Sequence, residues 1–482
     1  MQLAIQMGDR MTRSTRTETV MAAIRRRIET RTLTPGERLP SIRGLAASMQ
    51  VSPSTVVEAY DRLAADGLIA ARRGSGFFVL DTPQPLQIAA NGPRLDRAID
   101  PFWISRQALD ADPALPKPGC GWLPADWMPT DALRRALRAL SRVEAETLAD
   151  YGSAQGQGEL RRLIARDLAE QGLDVPPDRL LLAGSGTQAM DLICRLLLRP
   201  GDTVLVDDPC YFNFQALLRA HQVRIISVPY TPQGPDTERF AQLLASARPR
   251  LYLTNSALHN PTGATISAPV AHRLLVLAAQ HDLTIIEDDI FAAFEPEPSP
   301  RLAALDGLER VIRIGSFSKT LSASARCGYI AARPDWISAL VDLQVATNFG
   351  GPSPMAAELL RVVLADGGYR KHVAALQGRL ARARRQAASR LAALGITPWL
   401  EPRGGFYLWC RLPEGLDAAD VARAALKRGI VLAPGNAFSA AQTQAGLMRF
   451  NVSQMGGPEV DAVLRDSLAE ARGIAERCSQ AS

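Results

Sequence analysis

Apolar residues recur along this chain at two periods, and the change from one to the other divides it. In residues 14–80 the helical period comes first. Val20, Ile24 and Ile28 fall four apart on one face of a predicted helix. "TLTPGERLP" reads as a turn, after which Ser41 caps a short helix through Leu45, Ala46 and Met49. Ser52-Pro53 then pairs a cap with proline at the first helical position, where the missing N–H costs nothing. Val56, Val57, Tyr60 and Leu63 carry that third helix to Gly67. "LIAARRGSGFFVL" reads as strand, turn, strand, with Gly74-Ser75-Gly76 at the tip. Residues 81–100 hold Pro83, Pro85, Asn91, Gly92 and Pro93 without a sustained apolar period, which predicts a linker. Beyond residue 101 short apolar runs ("RLLLAG", "DTVLVDDP", "RLYLTN", "LTIIEDD", "RVIRIGS") alternate with amphipathic stretches. That alternation predicts an α/β domain over 101–482, a mainly parallel sheet covered by helices.

Composition changes this picture at a few points. No run of about 18 apolar residues occurs, so no membrane span is expected. Residues 1–13 read as a disordered tail rather than a signal peptide, since no basic region precedes an apolar stretch. Six scattered cysteines without a C-x-x-C pair predict free thiols, no metal centre and a reducing, cytoplasmic setting. Residues 1–80 carry twelve arginines against seven carboxylates, a basic segment on a near-neutral remainder. Three helices and a basic hairpin describe a winged helix-turn-helix, which lays its third helix in the major groove of double-stranded DNA. Ser52, Ser54 and Thr55 at the start of that helix, Arg43 before it, and Arg72 and Arg73 in the wing are the candidate contacts. On pattern alone, a small helical module that binds protein stays open beside the DNA reader.

The candidate chemistry of the larger domain begins with a lysine. Only Lys117, Lys319, Lys371 and Lys427 are lysines among 55 cationic side chains. Arginine cannot shed its proton in a protein, whereas a lysine can, and a neutral amine attacks carbonyls. Lys319 lies in "SFSKT", just after the predicted strand Val311–Ile314, where open α/β sheets place their ligands. Pyridoxal phosphate needs such a Schiff-base lysine, an acid for its ring nitrogen, a donor to its ring hydroxyl, an aromatic face and a phosphate cradle. Asp288 ends an apolar strand and suits the ring nitrogen; Asn260 opens "NPTG" and suits the hydroxyl; Tyr211 suits the ring face. Ser185, Gly186 and Thr187 open a helix after a strand, and Ser316, Ser318 and Arg326 flank the lysine; all can meet a phosphate dianion. Arg449 in "MRFNVS" suits a carboxylate. Singly, each of these has an ordinary reading as a turn, a core aromatic or a surface ion; together they fall at successive sheet ends.

Two resemblances follow. "GERLPSIRGLAASMQVSPSTVVEAYDRLAADGLIAARRGSGFFV" resembles the GntR-type winged helix, with Pro53 where that family usually has arginine. Residues 115–480 resemble the fold-type I aminotransferases, whose sheet is followed by a smaller C-terminal α+β part. Tyr151, in "YGSAQGQGELRRLIARDL", matches the tyrosine that reaches a neighbouring subunit's phosphate in that family. Ile290 and Phe291 stand in "EDDIFAAF" where the family has a tyrosine that tunes the lysine linkage. The combination resembles the MocR family of bacterial transcription regulators. The resemblance implies a homodimer that binds DNA and senses a small amine or amino acid. A working aminotransferase with an accessory DNA-binding module is the alternative; a regulator that senses pyridoxal phosphate itself is the third reading.

Overall fold

The computed structural model describes residues 15–29, 33, 37–72, 76–80, 109 and 115–480, the last three in backbone only. The expected tail 1–13, the expected linker 81–100 and Arg73 lie outside the described residues. Two compact units divide the chain, residues 1–94 and 95–482.

In the first unit, helices α1 (Arg16–Glu29), α2 (Ile42–Met49) and α3 (Pro53–Ala65) precede strands β1 (Ile69–Arg72) and β2 (Gly76–Val79). The expected caps are present: Ser41 Oγ accepts from Gly44 N at 3.1 Å, and Ser52 Oγ from Thr55 N at 3.2 Å. Val20, Ile24, Leu45, Val56, Tyr60, Leu63 and Val79 close a small core. Tyr60 ties the unit together, because its hydroxyl donates to Pro40 O at 2.9 Å and its ring meets Phe77 edge-on. Val57 departs from the expected apolar face: it is 39% exposed, since α3 turns it outward while Val56 and Tyr60 face α1 and α2.

The second unit is built on an eight-stranded sheet ordered β3-β10-β9-β8-β7-β4-β5-β6. Its strands are β3 (Leu180–Ala183), β4 (Thr203–Asp208), β5 (Arg224–Thr231), β6 (Gly234–Pro235), β7 (Leu251–Thr254), β8 (Thr284–Asp288), β9 (Val311–Ser316) and β10 (Gly328–Ala331). The five apolar runs singled out above are β3, β4, β7, β8 and β9, nearly all of them buried on both faces as helix-covered parallel strands must be. Strands β5, β4, β7, β8 and β9 run parallel, whereas β10 runs antiparallel between β9 and β3. A second, antiparallel sheet, β11 (Thr397–Pro398), β12 (Tyr407–Arg411), β13 (Ala433–Pro434) and β14 (Leu447–Asn451), is ordered β11-β12-β14-β13. Residues of this sheet and of the helices Gly368–Ala392 and Pro458–Gln480 form a core of their own. Among the described residues no helix is long and apolar enough to cross a membrane.

Candidate functional site

Strand order lays the chemistry out along one edge of the large sheet. Crossing from β3 to β4, the residues at or just past the strand ends are Gly184–Thr187 after β3, then Ser316 at the end of β9 with Ser318 and Lys319 after it, Asp288 at the end of β8, Asn255 and Asn260 after β7, and Tyr211 after β4. Sequence-distant residues are therefore neighbours. A chamber of about 530 Å³ is lined by Ser185, Gly186, Thr187, Tyr211, Asp288, Ser316, Ser318, Lys319 and Arg326, nine of the expected residues. Its size falls within the roughly 300–1,000 Å³ of small-molecule sites.

The phosphate-type cradle is a helix start. Ser185 caps the helix Gly186–Leu197, its Oγ accepting from Gln188 N at 3.0 Å, so free N–H groups and the positive end of the helix dipole face the chamber. Ser316 Oγ donates to Ser318 Oγ at 3.0 Å, and Arg326, exposed and held at a left-handed φ of 47°, reaches the same wall. Gly328 explains how these parts fit so closely. A Cβ there would stand 2.8 Å from Gly186 N and Ser185 C, so only glycine lets β10 pass beneath the loop.

Asp288 is 6% exposed, and Ile290 N donates to its Oδ1 at 3.3 Å. Burial is the main reason its carboxyl is pushed up to about 7, with Asp289 adding to it; the Ile290 and Asn255 hydrogen bonds and Lys319 oppose the shift. The amine of Lys319 donates to Gly121 O at 2.6 Å. Burial presses its pKa down to about 8; Cys120 and Asp288 resist, while Arg449 and Arg326 reinforce. Tyr211 takes a hydrogen bond from Asn213 Nδ2 at 2.9 Å, and burial raises its phenol to about 12.

Asn260 and Arg449 lie against each other, both buried, and are not among the residues lining that chamber. Arg449 is fully buried, donating to Asn260 Oδ1 at 2.9 Å and to Gly119 O at 2.7 Å. Its guanidinium lies 4.3 Å from the Tyr407 ring centre, 4.7 Å from Phe438 and 5.9 Å from Phe212, and its Nε has no partner. The guanidinium thus keeps one orphaned buried donor inside an aromatic box. Tyr151 is 74% exposed and meets the Phe349 ring at a tilt of 58° with centres 4.8 Å apart, and it is not among the residues lining the chamber of its own chain. Ile290 lines the chamber, whereas Phe291 packs into an aromatic cluster with Phe294, Phe406 and Tyr407. No phenol takes the place of the departed tyrosine at these two positions.

Sequence reasoning missed the segment 117–122. Gly119 O and Gly121 O receive Arg449 and Lys319, Asn451 Nδ2 donates to Trp122 O at 2.7 Å, and Lys117 and Trp122 line the chamber. No local pattern marks it, since only the fold carries it over the sheet edge.

In the first unit Arg43, Ser52, Ser54 and Arg72 are exposed and Thr55 is half-buried. Ser52 Oγ shares hydrogen bonds of 2.8 Å with both Ser54 and Thr55 hydroxyls, giving the start of α3 a rigid hydroxyl cluster. Arg72 lies over the Phe78 ring at 4.6 Å. Arg38, not singled out from the sequence, bridges to Phe78 in the wing and brings a further exposed cation beside it.

Comparison with known proteins matches this geometry to two families. Residues 123–466 match Aminotransferase class I and II, and residues 16–79 match the bacterial regulatory proteins of the gntR family. An uncharacterised HTH-type transcriptional regulator of Escherichia coli, YdcR, is 30% identical over 446 residues, 89% of this chain and 93% of that protein. The probable rhizopine catabolism regulatory protein MocR of Rhizobium meliloti is 28% identical over 82% of each chain. The chain belongs to the MocR-type GntR regulators. For this MocR-type chain the large unit has the aminotransferase fold. LysN, an alpha-aminoadipate aminotransferase of Thermus thermophilus, superposes with a TM-score of 0.68 at 23% identity, covering 77% of this chain and 97% of its own.

Proposed function

We propose that this MocR-type chain is a DNA-binding transcription regulator that uses pyridoxal phosphate to sense a small amine or amino acid. The observation that carries the reading is the chamber itself. One cavity gathers a depressed lysine amine, a buried acid and a hydroxyl-and-arginine helix start in a protein that also carries a winged helix. That donor set fits the cofactor, which supplies an electrophilic carbon and an electron-drawing ring when bound.

In this reading Ser185, Gly186, Thr187, Ser316, Ser318 and Arg326 hold the phosphate, Asp288 faces the ring nitrogen, and Tyr211 covers the ring. Asn260 spends its amide oxygen on Arg449, leaving its Nδ2 to donate to the ring hydroxyl. Lys319 offers an attachment amine that is neutral above about pH 8. Arg449 takes the carboxylate of an amino-acid effector with its orphaned Nε. Binding changes DNA affinity only to the extent that the effector favours one arrangement of the protein over another.

The exposed Tyr151–Phe349 pair, with Leu148 and Met355 exposed on helices that pack together, supports a homodimer in which Tyr151 serves the neighbouring subunit's phosphate site. Exposed Arg38, Arg43 and Arg72 support phosphate contacts, with Ser52, Ser54 and Thr55 at the groove. Gene regulation by such a protein places it in the cytoplasm.

The test is an absorbance titration of full-length protein loaded with pyridoxal phosphate against a panel of amino acids and amines, with keto acid assayed in parallel. A saturable spectral change without keto acid supports sensing and names the effector class. Stoichiometric keto acid, leaving pyridoxamine phosphate that a second keto acid converts back, would instead establish transamination. Ile290 and Phe291 at the position of the tuning tyrosine favour the first outcome.

A further inference from the structure

We infer that His372 and Tyr369 are positioning residues for Lys319: by gripping both polar groups of Thr320, they set where the lysine amine stands in the chamber. The inference rests on the reading of Lys319 as the attachment amine and deepens it by naming what holds that amine in place.

The lysine lies on a turn rather than in the sheet. Strand β9 ends at Ser316, and Leu321 N and Ser322 N both donate back to Phe317 O, at 2.9 and 3.2 Å. Such a turn fixes its own curvature but not its place against the rest of the fold. Thr320, the residue after the lysine, is 2% exposed and supplies an anchorage. Its carbonyl accepts from His372 Nε2 at 2.9 Å, and its hydroxyl meets the Tyr369 hydroxyl at 2.8 Å. A carbonyl can only accept, so the imidazole proton is on Nε2. Burial depresses the His372 pKa, against the pull of the bond to Thr320, so the ring is neutral above about pH 6.5.

Both side chains come from the start of the helix Gly368–Ala392, three residues apart and therefore on one face. That helix has anchors of its own. Gln377 Nε2, farther along it, donates to Ala293 O and Glu295 O at 2.8 Å, in the loop that follows Asp288. Leu376, Leu380, Ala387 and Leu391 pack into the core of the second sheet. One helix thus holds both the turn that carries the lysine and the loop after the acid. Neither His372 nor Tyr369 lines the chamber, so they act on the amine through the backbone and not by touching a ligand. A displacement of about 1 Å at a reacting atom can cost roughly a hundredfold in rate, which makes such anchors measurable.

The test is stopped-flow uptake of pyridoxal phosphate by cofactor-free full-length protein, followed from about pH 7 to 10. His372→Leu keeps a side chain of similar size without the donor, Tyr369→Phe removes one hydroxyl, and His372→Gln restores an N–H. Loosening the turn admits water to the amine, which lessens the burial penalty and raises its pKa. In His372→Leu the climb in uptake rate should therefore move up by about one pH unit, with the plateau about tenfold lower. Tyr369→Phe should move it the same way, and His372→Gln should return it to within about twofold of wild type. Asp288, Cys120, Arg326 and Arg449, which also act on the amine, stay in place in all three variants. The imidazole is neutral across this range, so the profile reports Lys319. Circular dichroism shows whether each variant is folded, and Tyr369→Phe carries the test should His372→Leu not fold. Wild-type profiles in folded His372→Leu and Tyr369→Phe, or a glutamine variant as impaired as the leucine one, overturn the inference and leave the cofactor site intact. If borohydride trapping places no cofactor on Lys319 of wild type, the reading of the site falls, and this inference with it.

Discussion

At Lys319 the environment works against the proton: burial, with Arg449 and Arg326 nearby, brings the amine down to about 8, well below the roughly 10.4 of a solvated lysine. A lowered lysine pKa means that the neutral, nucleophilic fraction grows as pH rises through about 8. Asp288, pushed up to about 7 chiefly by burial, becomes ionised on the same side of the profile. The rate at which cofactor-free protein takes up pyridoxal phosphate should therefore climb between pH 6.5 and 9 and level off, as stopped-flow absorbance would show. A climb that starts only near pH 10 would mean an ordinary solvated lysine. Lys319→Ala should remain folded yet show no mass increment after borohydride trapping of bound cofactor, whereas wild type gains one cofactor per chain. This residue was legible because lysine is scarce in the sequence and sits among hydroxyls behind an apolar strand. Gly119 and Gly121 were not, because their carbonyls meet Arg449 and Lys319 only where the segment 117–122 crosses the sheet edge. Arg449 was half legible: its type suggested a carboxylate, but the surrounding Phe212, Tyr407 and Phe438 come from three distant stretches.

Among the elements, β3, β4, β7, β8 and β9 announced themselves as apolar runs, and β5 and β10 did not. Gly328–Ala331 is short, runs antiparallel and begins with a glycine, so nothing in its composition marks it as central to the sheet. Its glycine is nonetheless what permits the cradle. Gly328→Ala should push the Ser185–Gly186 backbone outward and weaken cofactor binding by about tenfold or more, measured by fluorescence titration, with secondary structure retained. Strand β8 carries a second device on the residue after Asp288. Asp289, facing the other way, pairs with Arg301 and Arg313 at 2.7 Å, and Arg301 also holds Glu295 at 2.7 Å, all of them buried. Breaking such a pair from one side leaves uncompensated buried charge. Arg301→Leu should cost about 3–5 kcal/mol in urea unfolding followed by circular dichroism. A loss below about 1 kcal/mol would show that water reaches these carboxylates.

For the whole molecule, the period change and the Pro-rich stretch made two units legible, and the structure divides the chain at residues 94 and 95. Each unit has its own apolar core, so calorimetry should resolve two transitions. Pyridoxal phosphate should raise the larger unit's transition and leave the smaller one in place, since a ligand stabilises only what binds it. A single transition that shifts as one would show that the units unfold together. What the sequence could not disclose is how the site holds the backbone of the segment 117–122. Segment 117–122, near the start of the larger unit in sequence, is clasped by Arg449 through Gly119 and by Lys319 through Gly121. A ligand that claims either side chain takes it from this segment, so occupancy and slack rise together. Coupling of this kind is reciprocal. Whatever holds the segment in place therefore opposes any ligand that draws Lys319 or Arg449 away from it, by the same free energy with which that ligand frees the segment.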